Sequence, residues 1–205
     1  MFKIAVLISG GGTNLQSIID AVNNGDLNCK IEMVISSKDG VLGLDRAKKN
    51  NIETHVITRK EFGKEQSNKI LELLEGRVDL IVLAGYLSIL DGEILDRFKD
   101  RIINIHPSLI PSFCGPNMYG LKVHEAAIKK GVKYSGCTVH FVNNEVDGGE
   151  IILQEVVPVH YDDNAEILQK RILEKEHILL PKAIKLISEN KVNVIDGKVN
   201  IRSAF

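Results

Sequence analysis

The sequence predicts a single-domain α/β fold, with a mainly parallel but mixed sheet and helices on both faces. Three observations carry that expectation. Short apolar, β-branched runs alternate with amphipathic stretches of helical period along the chain. The run Leu80–Ala84 is apolar at every position, as a strand covered on both faces must be. Later, Thr138–Val142 and Ile151–Pro158 read as two strands joined through the Asp147-Gly148-Gly149 turn, which adds a hairpin to an otherwise parallel pattern.

Taken in order, Ile4–Ile8 is a buried strand and Asn14–Asn23 a helix. Ile31–Ser36 is the second strand, followed by a helix over Gly43–Asn50. His55–Ile57 is a short strand, and one long helix is expected around Lys60–Glu75. After Leu80–Ala84, Arg101–Ile105 forms the next strand. Leu121–Lys130 has Val123, Ala126, Ala127 and Lys130 at helical spacing. Asn164–Glu189 is a long amphipathic helix, expected to break or kink at Pro181, whose ring removes one backbone donor. Val192–Ile195 and Lys198–Ile201 flank Asp196-Gly197, a hairpin signature. No repeat, low-complexity tract or linker interrupts the pattern, so residues 1–205 read as one Rossmann-like domain.

Composition narrows the function. The formal net charge of −1 argues against a nucleic-acid protein, which would carry a strongly basic face. Cys29, Cys114 and Cys137 form no closely spaced pair, which fits a reduced cytoplasmic protein and neither a disulfide scaffold nor a zinc site. The apolar run at the N-terminus is too short for a signal peptide. The longest uncharged apolar stretch, Leu80–Leu90, is about half of the ~20 residues that a membrane span needs. Small-molecule substrates are expected, with no nucleic acid, membrane or metal partner, in a monomer or homodimer.

In open α/β sheets, ligands bind beyond the carboxyl ends of the strands, where the strand order reverses. Ser9–Thr13, Ala84–Ser88, Asn104–Ser108 and Asn143–Asp147 all fall at expected strand ends. Gly10-Gly11-Gly12-Thr13-Asn14 opens a helix, where free N–H groups and the helix dipole suit a phosphate. It is not a Walker loop, since no Gly-Lys-Ser/Thr follows. It is also a poor dinucleotide fingerprint, since Leu15 stands at the third glycine position. Asn104 and His106 are two apart, so on a strand both project to one side. They offer an amide that can polarise a carbonyl and an imidazole that can move a proton near neutral pH. Asp147 completes the set if the fold brings it close, although Asp-Gly is also common turn chemistry. His124 and His140 read as structural or supporting. Cys114 has no local base and is rejected as a nucleophile. Its loop, Pro111–Gly120, reads as a mobile lid. Glu174 and Glu176 lie on the last long helix, where charges usually form a solvated face.

Asn104-Ile105-His106-Pro107-Ser108-Leu109-Ile110-Pro111 together with Asp147-Gly148-Gly149 resembles the formyltransferase family that uses 10-formyltetrahydrofolate. Ile8–Leu15, Leu83–Leu87 and the segment from Arg171 through Glu176-His177 extend the resemblance to nearly the whole chain. The resemblance implies transfer of a formyl group from 10-formyltetrahydrofolate, a co-substrate, to the amine of 5′-phosphoribosylglycinamide in purine biosynthesis, without a metal. It implies that Asn104, His106 and Asp147 are catalytic. Gly12, Thr13 and Asn14 would hold the substrate phosphate, and Glu176 would contact the ribonucleotide. Leu87, Ser88, Ile89 and Leu90 would flank the folate pterin on one side. Asn143, Asn144, Glu145 and Val146 would lie on the other, with Asn104 and Lys64 also contacting folate. Ser88 stands where some members have Arg, which leaves backbone contacts there. Lys64 stands near a family Arg and keeps the charge without the bidentate fork. The resemblance also implies a ribonucleotide-binding N-terminal half, a folate-binding C-terminal half and a site at their junction. The alternatives are a formyltetrahydrofolate hydrolase, another formyltransferase of the family such as one acting on tRNA, or a nucleotide-binding module without catalysis.

Overall fold

The computed structural model of the chain describes residues 1–202. Backbone packing divides it into two compact units, Met1–Asn104 and a second from Ile105 onward. The first unit holds β1 (Phe2–Ile8), α1 (Thr13–Asn23), β2 (Cys29–Ser36), α2 (Leu42–Lys49), β3 (Glu53–Val56), α3 (Arg59–Phe62), α4 (Gln66–Leu74), β4 (Leu80–Leu83) and α5 (Glu93–Arg97). It ends within β5 (Ile102–His106). The strands run parallel in the order β3-β2-β1-β4-β5. The chain lays β2 and β3 to one side of β1, then β4 and β5 to the other. Helices α1 and α2 touch, as do α4 and α5; the right-handed crossover rule for parallel strands puts the first pair on one face of the sheet and the second on the other. The order therefore reverses between β1 and β4, and the loops after these strands flank the crevice that such a reversal opens.

Burial explains the strands. Ile4, Ala5, Val6, Leu7 and Ile8 are all fully buried, as are Leu80, Ile81 and Val82. Each large side chain so buried contributes about 1.5–3 kcal/mol. In α1, Leu15, Ile18 and Ile19 form the buried stripe that the helical period requires.

The second unit holds α6 (Leu121–Lys130), β6 (Tyr134–Phe141), β7 (Ile151–Pro158), α7 (Ala165–Ser188), β8 (Val192–Ile195) and β9 (Lys198–Ile201). In strand order β6 follows β5, and β6 pairs antiparallel with β7, which makes the sheet mixed. Helix α7 packs on α6, β6 and β7. Its cap is Asn164, whose side-chain oxygen accepts the Ile167 N–H at 2.9 Å. The terminal hairpin turns through Asp196 and Gly197, both at positive φ, the backbone of a type I′ turn.

Several boundaries differ from expectation. The helix expected around Lys60–Glu75 is interrupted at Gly63, whose φ of 56° ends α3 and leads through a 3₁₀ turn into α4. Pro181 does not end α7, because Leu179, Leu180, Ala183 and Ile184 around it are buried and hold the helix against its neighbours. Strand β5 runs one residue further than expected and takes in His106. Strand β6 begins earlier, at Tyr134. The short helix α5 carries no expectation from the sequence. Among the described residues no helix is long and apolar enough to cross a membrane.

Candidate active site

In the first unit, the glycine loop after β1 enters α1 through Gly12, in the left-handed region at φ 69°. No side chain caps α1, and Thr13 at its start is exposed while Asn14 is buried. An uncapped helix start directed at solvent suits an anion. Ser9, at the end of β1, is buried. Its hydroxyl accepts the Leu87 N–H at 2.8 Å and lies 2.5 Å from the Ser37 hydroxyl. The glycine loop is thereby tied to the segment after β4. In that segment Leu87 and Ile89 expose half or more of their side-chain surface, whereas Leu90 is buried. Burial pushes the Tyr86 phenol in that segment up to about 12, and the neighbouring Ser88 opposes this more weakly. Asp91 follows, and its N–H and carboxylate both bond the Ser67 hydroxyl of α4, at 3.0 and 2.7 Å. Lys64 is exposed in the turn that leads into α4.

Asn104 is half-buried on β5, two residues before His106, so the two side chains leave the same side of the strand. In the second unit, His106 is 4% exposed. Its Nδ1 lies 3.6 Å from Asp147 Oδ2, a charge contact rather than a hydrogen bond. Its Nε2 donates to the Phe113 carbonyl at 2.9 Å. Asp147 sits at φ 55°, in the left-handed region that Asp tolerates, and its Oδ2 accepts the Gly115 N–H at 2.8 Å. Its other oxygen lies 3.7 Å from His140 Nε2. Burial holds the His140 imidazole below its usual range, and the Phe141 carbonyl and Asp147 oppose this more weakly. Since a carbonyl only accepts, the 2.7 Å bond to Phe141 O puts the His140 proton on Nδ1. Gly149 cannot carry a side chain, since a Cβ there would come within 1.9 Å of the Phe141 carbonyl. That close approach fixes the return of the loop that bears Asp147. Asn143, Asn144, Glu145 and Val146 are exposed on this loop, with an Asx turn from Asn143 Oδ1 to the Glu145 N–H at 2.9 Å.

The structure thus brings His106 and Asp147 together and adds further partners. These are His140, the Phe113 carbonyl and the Gly115 amide, which meet them only through tertiary folding. Glu176 departs from the solvated-face expectation: it is buried on α7, while Glu174 is exposed. Its charge is felt at Cys137 of β6, whose thiol is pushed up to about 12, mainly by burial. Burial, together with Asp147 and Glu145, also raises the Cys114 thiol, which donates to the Pro111 carbonyl at 3.3 Å. A thiol held protonated in this way is a poor nucleophile. His124 is buried on α6 and pushed down to about 4, by burial first and then by His106.

The first unit thus holds an uncapped glycine loop at the strand-order reversal, and the second a buried histidine faced by a carboxylate. Comparison with known proteins shows the family of the chain. Residues 2–184 match the family described as formyl transferase, and the chain belongs to that family. A phosphoribosylglycinamide formyltransferase from Haemophilus influenzae is 45% identical over 214 residues, spanning 100% of this chain and 99% of that protein. The crystal structure of glycinamide ribonucleotide transformylase 1 from Symbiobacterium toebii matches with a TM-score of 0.93 at 40% identity, over 99% of this chain and 95% of that one. A formyltetrahydrofolate deformylase from Pseudomonas syringae matches with a TM-score of 0.90 at 26% identity, over 98% of this chain and 66% of that one.

Proposed function

We propose that the chain transfers the formyl group of 10-formyltetrahydrofolate to the amine of 5′-phosphoribosylglycinamide, a step of purine biosynthesis. The observation that carries this reading is the end-to-end likeness to the Haemophilus influenzae enzyme at 45% identity. In the reaction, the amine attacks the formyl carbon and a tetrahedral oxyanion forms. The bond to folate N10 then breaks, and N10 takes up a proton as the amine gives one up.

The proposed roles follow from the chemistry of each group. The Asn104 amide and the His106 imidazole in its protonated form donate to the developing oxyanion. Asp147 faces His106 Nδ1 and sets the ring's orientation. The backbone at Gly12, Thr13 and Asn14 receives the phosphate. Glu176 contacts the ribonucleotide. Leu87, Ile89 and Val146 present open apolar surface to the pterin. Ser88, Leu90, Asn143, Asn144 and Glu145 supply backbone and polar contacts to it, and Lys64 adds positive charge to the folate side.

The test is a spectrophotometric assay of folate deformylation with and without phosphoribosylglycinamide. Turnover is expected only when the amine is present. Turnover at the same rate without it makes the chain a hydrolase and overturns the proposal.

A further inference from the structure

The glycine loop carries carbonyl oxygens as well as amides, and a phosphate is repelled by any carbonyl that faces it. All three loop carbonyls are tied off. Gly12 O accepts the Gln16 N–H of α1 at 2.9 Å. Gly10 O accepts the Gly43 N–H of α2 at 3.1 Å. Gly11 O accepts from Arg46 Nε, also on α2, at 2.9 Å. The same guanidinium donates through Nη1 to Gln16 Oε1 at 3.0 Å, and Gln16 Nε2 in turn donates to Asp20 at 2.8 Å. Arg46 therefore spans α2, the loop and the first turn of α1 with two nitrogens of one planar group. The helix approaches closely enough for this only because glycines meet. A Cβ on Gly12 would lie 2.7 Å from Gly43 Cα, and one on Gly43 would lie 2.4 Å from Ile8 Cδ1 and 2.9 Å from Gly10 O.

We propose that Arg46 is a positioning residue, which holds the Gly10–Gly12 loop with its carbonyls tied back to α1 and α2 and its amides open to a phosphate monoester. This rests on the reading that the loop binds the ribonucleotide phosphate. Arg46 touches neither reacting atom, so its loss acts on one substrate's binding and leaves the chemical step alone. A charge-assisted hydrogen bond to a backbone carbonyl is the strongest of the three ties, and a lysine cannot replace it. A single ammonium lacks the fork that reaches Gly11 O and Gln16 Oε1 together.

Steady-state kinetics of Arg46→Ala and Arg46→Lys, with inorganic phosphate as a competitive inhibitor against the ribonucleotide, test this. Arg46→Ala is expected to raise KM for phosphoribosylglycinamide about 10-fold or more and to weaken phosphate inhibition by a similar factor. The kcat and the folate KM should stay within about 2-fold, a range that ordinary surface changes span. Arg46→Lys, which keeps the charge and the stem, is expected to recover less than half of the loss. Three results overturn the proposal: an unchanged ribonucleotide KM in Arg46→Ala, an equal rise in both KM values, or full recovery in Arg46→Lys. Gly12→Val separates the two readings. If it raises the ribonucleotide KM while Arg46→Ala does not, the clamp alone fails. If neither does, the phosphate assignment fails and the clamp with it.

Discussion

His106 has both ring nitrogens engaged, Nδ1 facing Asp147 and Nε2 donating to the Phe113 carbonyl. For the proposed chemistry, Nε2 exchanges that carbonyl for the substrate oxyanion, so the loop from Pro111 to Gly120 must yield as the formyl group arrives. Asn104→Ala, His106→Ala and Asp147→Ala should each lower kcat by about 10²-fold or more with the fold intact by circular dichroism. Near-normal turnover in any one of them removes that residue from its role. The pairing of Asn104 with His106 is legible in the sequence, because a period of two fixes side-chain direction on any strand. The approach of Asp147 is not, since it depends on how the loop after β6 returns past Phe141. Nothing local marks the Phe113 carbonyl, the Gly115 amide or Arg46 either, because backbone atoms and a surface-type residue carry no motif. His140 read as supporting, and its burial with a proton fixed on Nδ1 agrees with that.

At the scale of elements, hydrophobic period served well for β1, α1, β4 and α6, where burial follows one rule along the segment. It failed where a single backbone angle or tertiary packing decided. Gly63 at φ 56° splits an otherwise continuous helical pattern, and Pro181 sits inside a helix that burial on both sides of it sustains. Helix α7 also depends on its cap. Asn164→Ala removes the acceptor for the Ile167 N–H and is expected to lower unfolding stability by about 1 kcal/mol, read as a lower urea midpoint at unchanged slope. An unchanged midpoint would mean that packing alone fixes the start of the helix.

At the scale of the whole molecule, stability should follow pH through His124. Its folded-state value near 4 lies below the ordinary value of about 6.5, so the unfolded chain binds the proton first. The stabilisation is present in full above about pH 6.5 and is lost as pH falls toward 4. The shift corresponds to about 3 kcal/mol. Chemical denaturation of wild type and His124→Phe across that window checks this: the wild type should lose more stability on acidification than the variant. Parallel curves would show that the ring titrates normally in the folded protein. The α/β class and the mainly parallel mixed sheet were legible because strand–helix alternation leaves few topologies open. The reversal of order between β1 and β4, which sets the glycine loop beside Leu87, emerges only in three dimensions.

The meeting of Gly12 with Gly43 has a consequence for how this sequence can drift. A methyl group on Gly12 collides with the Gly43 backbone and one on Gly43 with the Ile8 side chain and the Gly10 carbonyl, and no second substitution at the partner makes room, since the partner is already the smallest residue. Two positions far apart in the chain therefore behave as one frozen unit. Around it, exposed neighbours such as Leu42 and Asp45 are free to vary.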